Sequence, residues 1–173
     1  MPNSIQKVPF GYEPPQEDDK GTIVYYDSFE QTTDAELDLA ASLVRKRLFT
    51  KLILYPLHEQ TIRRMTKQPV SPLYKREEKL FSWKQDRNLP YVQMERLEAK
   101  RKKYTPIDSA LRHLSETYPT PLFLIMSAEM ANLFASYTSF EEWIVQIRLI
   151  LITKPLNMHA KLMQYEHRWE VIE

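Results

Sequence analysis

Glu129 and His58 are the first residues whose type and place could serve chemistry, because each follows a run that reads as a buried strand, residues 122–126 and 51–55. A carboxylate at the carboxyl end of a strand faces the crevice where open α/β sheets hold ligands, and His58 stands in the loop YPLHEQ after the other run. Each also has a purely structural use. Glu129 can match the positive end of a helix, and His58 can be a loop imidazole turned to solvent. Asp108 follows Tyr104-Thr105-Pro106-Ile107 and falls in a first helical turn, where a carboxylate caps or pairs with the helix dipole. The ring of Tyr137 is able to stack on a heterocycle, yet its spacing from Phe134 and Phe140 also suits core packing. His113, His159 and His167 show no metal-ligand spacing, so no zinc or iron site is expected. No nucleophile stands beside a base, and neither a Walker loop nor a base-reading motif is spelled.

Composition narrows the classes further. The chain has 173 residues, 43% hydrophobic and 12% aromatic, enough for one domain with a real core. With 24 Lys and Arg against 23 Asp and Glu, the net charge is +1, so no global field calls for nucleic acid or an anionic membrane. Cysteine is absent, which removes disulfides, thiolate nucleophiles and thiolate metal sites. The first twenty residues lack an apolar targeting core, and the runs LFLIM and LILI are too short to span a bilayer, so the expectation is a cytoplasmic protein. Glycine is scarce: only Gly11 and Gly21 occur, where average usage predicts roughly twelve. Loops that cradle phosphate commonly use glycine so that backbone N–H groups can approach the anion.

The elements that must position these residues are legible as alternating runs. Residues 1–20 are polar and proline-bearing, with Glu17-Asp18-Asp19, and read as a disordered or extended arm before a single domain over 21–173. Residues 22–26 (TIVYY) suit a buried strand, Thr32 or Thr33 with Asp34 can cap a helix running to 48, and 51–55 (KLILY) form a second strand. A βαβ unit follows, with a right-handed crossover. Later come a helix over 104–118, a strand over 122–126, helices over 128–135 and 140–147, and a strand over 148–152. Strands alternating with helices predict an α/β fold: a doubly wound parallel sheet in three layers. Between the halves lies a basic insertion, 61–103, with 13 Lys/Arg against 5 Asp/Glu. It can meet phosphates near the sheet edge or be the solvated face of one or two amphipathic helices, and the run RLEAKRKK at 96–103 fits the solvated reading best.

The order of parts over 104–155 resembles the nicotinate-nucleotide adenylyltransferases. Members of that family carry a Y-T-x-x-D-T-L helix start, a Y-P before a strand ending in G-A-D, a tryptophan before an acidic helix, and a strand closing in R-P-G. Here stand Tyr104, Thr105, Asp108, Ser109 and Leu111, then Tyr118 and Pro119, then Ser127, Ala128 and Glu129. Tyr137 takes the place of the tryptophan, and Lys154 with Pro155 takes that of the arginine and proline. The family's first strand runs into G-G-x-F-D-P-x-H-x-G-H. Aligning its phenylalanine on Phe29 puts Tyr26 and Asp27 on the glycines, Glu30 on the aspartate, and Thr33 and Glu36 on the two histidines. The resemblance covers about three quarters of the chain and implies a Rossmann-like nucleotidyltransferase fold.

It also implies a site. Thr33 and Glu36 would be the catalytic positions; Ser28, Phe29, His58, Thr105, Asp108, Ser127, Glu129, Tyr137 and Lys154 would bind the ligand, an adenine or pyridine nucleotide. The family transfers the adenylyl group of ATP, with Mg²⁺, onto a pyridine mononucleotide. Two histidine donors and two glycines are replaced here, and each preorganised donor lost costs on the order of 3 to 4 kcal/mol. The family's I-S-S-T-x-I-R anion site near its C-terminal end has no matching text in these residues. The resulting expectation is a nucleotidyltransferase-like module for NAD biosynthesis chemistry with adenylyl transfer lost or strongly reduced, a pseudoenzyme that binds a nucleotide or regulates. The alternatives are an active adenylyltransferase using Mg²⁺ with ATP, and a protein-interaction scaffold that contacts a protein partner through the arm and the basic segment.

Overall fold

The computed structural model describes residues 21–172. Their strands are β1 (Thr22–Asp27), β2 (Lys51–Pro56), β3 (Val92–Met94), β4 (Leu122–Met126), β5 (Arg148–Leu151) and β6 (Trp169–Val171). Between them lie α1 (Asp34–Lys46), α2 (Glu59–Met65), α3 (Leu73–Arg87), α4 (Leu97–Arg101), α5 (Ile107–Thr117), α6 (Ala128–Ala135), α7 (Phe140–Ile144) and α8 (Ala160–Gln164). The sheet order is β3-β2-β1-β4-β5-β6, and all five pairings are parallel. The chain winds outward from β1 in one direction and from β4 in the other. That reversal leaves a crevice at the carboxyl ends of β1 and β4, where no crossover helix covers the edge. The arm expected over residues 1–20 lies outside the described residues.

Side chains alternate across a strand, and here both sets are apolar, as a sheet covered on both faces requires. Val24, Tyr26, Ile53, Tyr55, Leu124 and Leu149 face one core, which α5, α6 and α7 close with Leu111, Leu114, Phe134, Phe140 and Trp143. Ile23, Tyr25, Leu52, Leu54, Ile125 and Ile150 face the other, closed by Leu37, Ala40 and Val44 of α1 and by Leu80 and Trp83 of α3. The result is the three-layer α/β architecture that the alternating runs predict.

Boundaries differ where local sterics intervene. The first helix stops at Lys46, short of 48, because Leu48 takes a left-handed φ of 61° that an α-helix cannot continue. The helix expected from 104 starts at Ile107, since Pro106 holds Thr105 out of the helical region. The strands β3 and β6 have only three residues each and were not anticipated. Residues 61–103 supply the edge strand β3 and the long helix α3 rather than solvated helices alone. Within this segment Arg76, Glu77 and Glu98 are buried, which corrects the solvated reading of the 96–103 run at Glu98. Gly21 enters β1 at φ +92°, and a Cβ there would collide with the carbonyl oxygen of Pro121, so the position has no room for a side chain.

Candidate active site

A cleft of about 600 Å³ opens at the crevice between β1 and β4. Its walls come from four places: the β1–α1 turn, the end of α2 with the following loop to Val70, the start of α6, and the turn after β5. Among the expected site residues it gathers Ser28, Glu36, Ser127 and Glu129. It also gathers Asp27 and Glu30, which the alignment set on motif positions, and Thr32, named as a possible helix cap; none of the three was among the expected site residues.

The start of α1 is closed on itself. Thr33 is its N-cap: the Thr33 hydroxyl accepts from the Glu36 N–H at 3.1 Å, and the Glu36 carboxylate accepts from the Thr33 N–H at 3.0 Å. This capping box satisfies two end groups that a bound anion would otherwise use. With Asp34 and Glu36 both in the first turn, the helix end also carries its own negative charge. At α6 the same holds in smaller form, since Ser127 accepts from the Met130 N–H at 3.1 Å and Glu129 occupies the first turn.

Electrostatics follow from this lining. Asp27, Glu30, Glu36 and Glu129 border the cleft, and its lining residues include no Lys, Arg or His; the nearest cation described, Arg76, is turned to backbone carbonyls behind Glu30. The Glu30 carboxylate is turned aside, accepting from the Ser71 N–H and hydroxyl at 2.8 Å each, and these bonds hold its pKa below the ordinary carboxylate range. Burial pushes the Asp27 carboxyl above its usual value, and the Thr32 hydroxyl that donates to it at 2.6 Å opposes the shift. Burial likewise raises the Tyr25 phenol, with Asp27 and Glu36 adding to it. Among the described residues no group of three or more His, Asp or Glu could hold a metal ion.

The other expected site residues lie elsewhere. Phe29 is buried with φ 62° and meets the Tyr25 ring edge-on, 4.9 Å between centroids. His58 is the N-cap of α2, where its Nδ1 accepts from the Gln60 N–H. Thr105 is fully buried and donates its N–H to the Thr61 hydroxyl at 3.0 Å. Asp108 accepts from the Trp143 indole N–H at 2.6 Å and from Arg112 at 3.0 Å. Tyr137 packs half-buried against the core, and burial raises its pKa. Lys154 is exposed two residues beyond the cleft-lining Ile152.

One residue that shapes the cleft was missed altogether. Arg76 of α3 is 1% exposed and donates to the carbonyls of Leu57 at 2.6 Å, Ser28 at 2.7 Å and Ser71 at 2.9 Å. It thereby ties the turns after β1 and β2 to the loop before α3. Its ion-pair partners Glu30 and Glu59 lie far from it along the chain, so no local pattern in the sequence signals this role.

No protein-family model matches the chain, and no curated protein matches it. Solved structures do. The nicotinic acid mononucleotide adenylyltransferase of Plasmodium falciparum in complex with NaAD aligns with a TM-score of 0.65 at 11% identity, covering 87% of this chain and 74% of that one. The same enzyme complexed with APC gives 0.62 at 11% identity, covering 88% and 74%. A Vibrio parahaemolyticus protein assigned as a nicotinate-nucleotide adenylyltransferase gives 0.56 at 17% identity, covering 83% and 84%. Among the described residues no helix is long and apolar enough to cross a membrane. The six parallel strands, their order and the crevice at the switch between β1 and β4 thus make this chain a bearer of the nicotinate-nucleotide adenylyltransferase fold.

Proposed function

We propose that this chain is an adenylyltransferase-fold module in which adenylyl transfer is lost or strongly reduced, and which acts by binding a ligand in its cleft as a regulatory protein. One observation carries this reading. The Thr33–Glu36 capping box fills the start of α1 with the protein's own donor, acceptor and charge. Adenylyl transfer depends on donors aimed at phosphoryl oxygens as charge spreads over them. A carboxylate in that place opposes the reaction twice: it removes a donor, and it repels the polyanion. The cleft itself, about 600 Å³, is of a size that takes a small molecule, which supports the binding part of this reading.

The test is direct. The purified protein at high concentration is incubated with ATP, Mg²⁺ and nicotinate mononucleotide, and then with nicotinamide mononucleotide, and dinucleotide is sought by mass spectrometry. No dinucleotide above the uncatalysed background is the expected result. Product that scales with protein concentration, and that falls on substitution of Glu36, would sink the proposal and leave an active adenylyltransferase.

A further inference from the structure

We infer that the cleft selects an unphosphorylated nucleoside, with a positively charged ring preferred to a neutral one. This inference deepens the binding role proposed above and rests on the cleft being its ligand site. The argument begins with the cavity. One wall is apolar, with Met65, Met130 and Leu133 beside Val70, and thioethers and aliphatic groups of this kind lie well against a flat heterocycle. The rest of the lining presents acceptors, Glu36 at the start of α1 and Glu129 beside Met130 at the start of α6. Ionised carboxylates only accept, so the hydroxyls of a sugar and the amino group of a base are the groups that satisfy them.

Charge then decides between a nucleoside and its phosphate. Glu36 and Glu129 line the cleft without a basic partner within salt-bridge distance among the described residues. Both helices that start at the cleft, α1 with thirteen residues and α6 with eight, have an N-cap side chain already bonded to a first-turn N–H. A phosphate would therefore enter a partly enclosed space that offers it neither a cation nor an uncapped helix end, against two carboxylates. A cationic ring meets the same carboxylates favourably. The Asp27 carboxyl at the end of β1, which accepts from the Thr32 hydroxyl at 2.6 Å, adds a further acceptor to the lining.

The sequence of the box supplies a clean variant. Glutamine satisfies the N3 position of a capping box as glutamate does, so Glu36→Gln removes the charge and leaves the start of α1 intact. Binding of nicotinamide riboside, adenosine, nicotinamide mononucleotide and AMP to the 173-residue protein would be measured by calorimetry, and repeated for Glu36→Gln and Glu129→Gln. The riboside should bind at least tenfold more tightly than its 5′-monophosphate, and adenosine more tightly than AMP. In either variant the gap should shrink at least threefold, and in the native protein it should narrow as salt screens the carboxylates. Equal or tighter binding of the monophosphates, a gap untouched by both variants, or no nucleoside bound at millimolar concentration would each overturn the inference. The dinucleotide assay keeps the two claims apart: product formation defeats the loss of transfer, whereas a preference for phosphate without product defeats the selectivity alone.

Discussion

The guanidinium of Arg76 donates to the carbonyl oxygen of Ser28 at 2.7 Å across 48 positions of sequence, and the same group reaches Leu57 and Ser71. Three loops that border or support the cleft thus hang on one buried cation. Glu59 and Glu30 stand 3.4 and 3.9 Å from it and balance its charge. Replacing Arg76 by methionine takes the guanidinium donors from the buried Leu57 carbonyl and the half-buried Ser28 and Ser71 carbonyls, and takes the counter-charge from Glu59 and Glu30. Removing one member of such a buried network costs about 3 to 5 kcal/mol. Urea unfolding should show that loss, and Arg76→Lys should recover only part of it, because an ammonium lacks the planar spread of donors. A loss under 1 kcal/mol for the methionine variant would contradict this role.

Asp108 illustrates how a motif residue can be kept for packing. Its two oxygens accept from the Trp143 indole at 2.6 Å and from Arg112 at 3.0 Å, the first joining α5 to α7, and neither Asp108 nor Trp143 lines the cleft. A hydrogen bond to a charged group contributes about 1.5 to 3 kcal/mol. Trp143→Phe and Asp108→Ala should each lower stability by an amount in that range, and the double variant should cost less than their sum. Neither should alter nucleoside affinity. A change in affinity with unchanged stability would return Asp108 to the ligand site.

Gly21 makes the start of β1 depend on a missing side chain. At φ +92° an L-residue is strained, and the new Cβ would overlap the Pro121 carbonyl oxygen that accepts from the Thr22 N–H. Gly21→Ala should therefore destabilise by about 1 to 3 kcal/mol from backbone strain alone. A denaturation midpoint equal to that of the native protein would show that the strand entrance relaxes freely.

How legible these features were depended on the kind of signal each one left. The four central strands are apolar runs such as TIVYY and LFLIM, and burial on both faces leaves little else they could be. The edge strands VQM and WEV are too short and too mixed to show a period, so only pairing with β2 and β5 reveals them. Thr33 and Glu36 were found by position, and a threonine three residues before a glutamate also spells a capping box, which the fold forms. Arg76 sits in the run KREEK, which reads as solvent-facing because nothing local shows that three carbonyls converge on it. The cleft wall over residues 66–70 is a loop without periodicity, and its contribution to the site exists only once the sheet brings it beside α6.

Glu98 gives the fold a pH dependence with an unusual sign. It is 1% exposed and accepts from the Tyr55 hydroxyl and the His58 N–H, both at 2.7 Å. Burial is the main cause that lifts its pKa above the ordinary 4.5, and the hydrogen bonds from His58, Tyr55 and Thr61 only moderate the shift. A carboxyl with a raised folded pKa keeps its proton longer in the native state than in the unfolded chain. Between the unfolded and folded values the native state therefore binds more protons, and stability falls as pH rises through that window. Carboxylates with lowered values, Glu30 and Asp38 among them, act in the opposite direction and lose their contribution on acidification. The difference between native protein and Glu98→Gln isolates the one group, because glutamine keeps an acceptor for the His58 N–H and the Tyr55 hydroxyl can turn to accept from its amide. Urea unfolding from pH 4 to pH 8 should show the variant gaining stability relative to the native protein as pH rises above about 4.5, until the folded carboxyl has ionised. A constant difference across the range would mean that Glu98 ionises alike in both states.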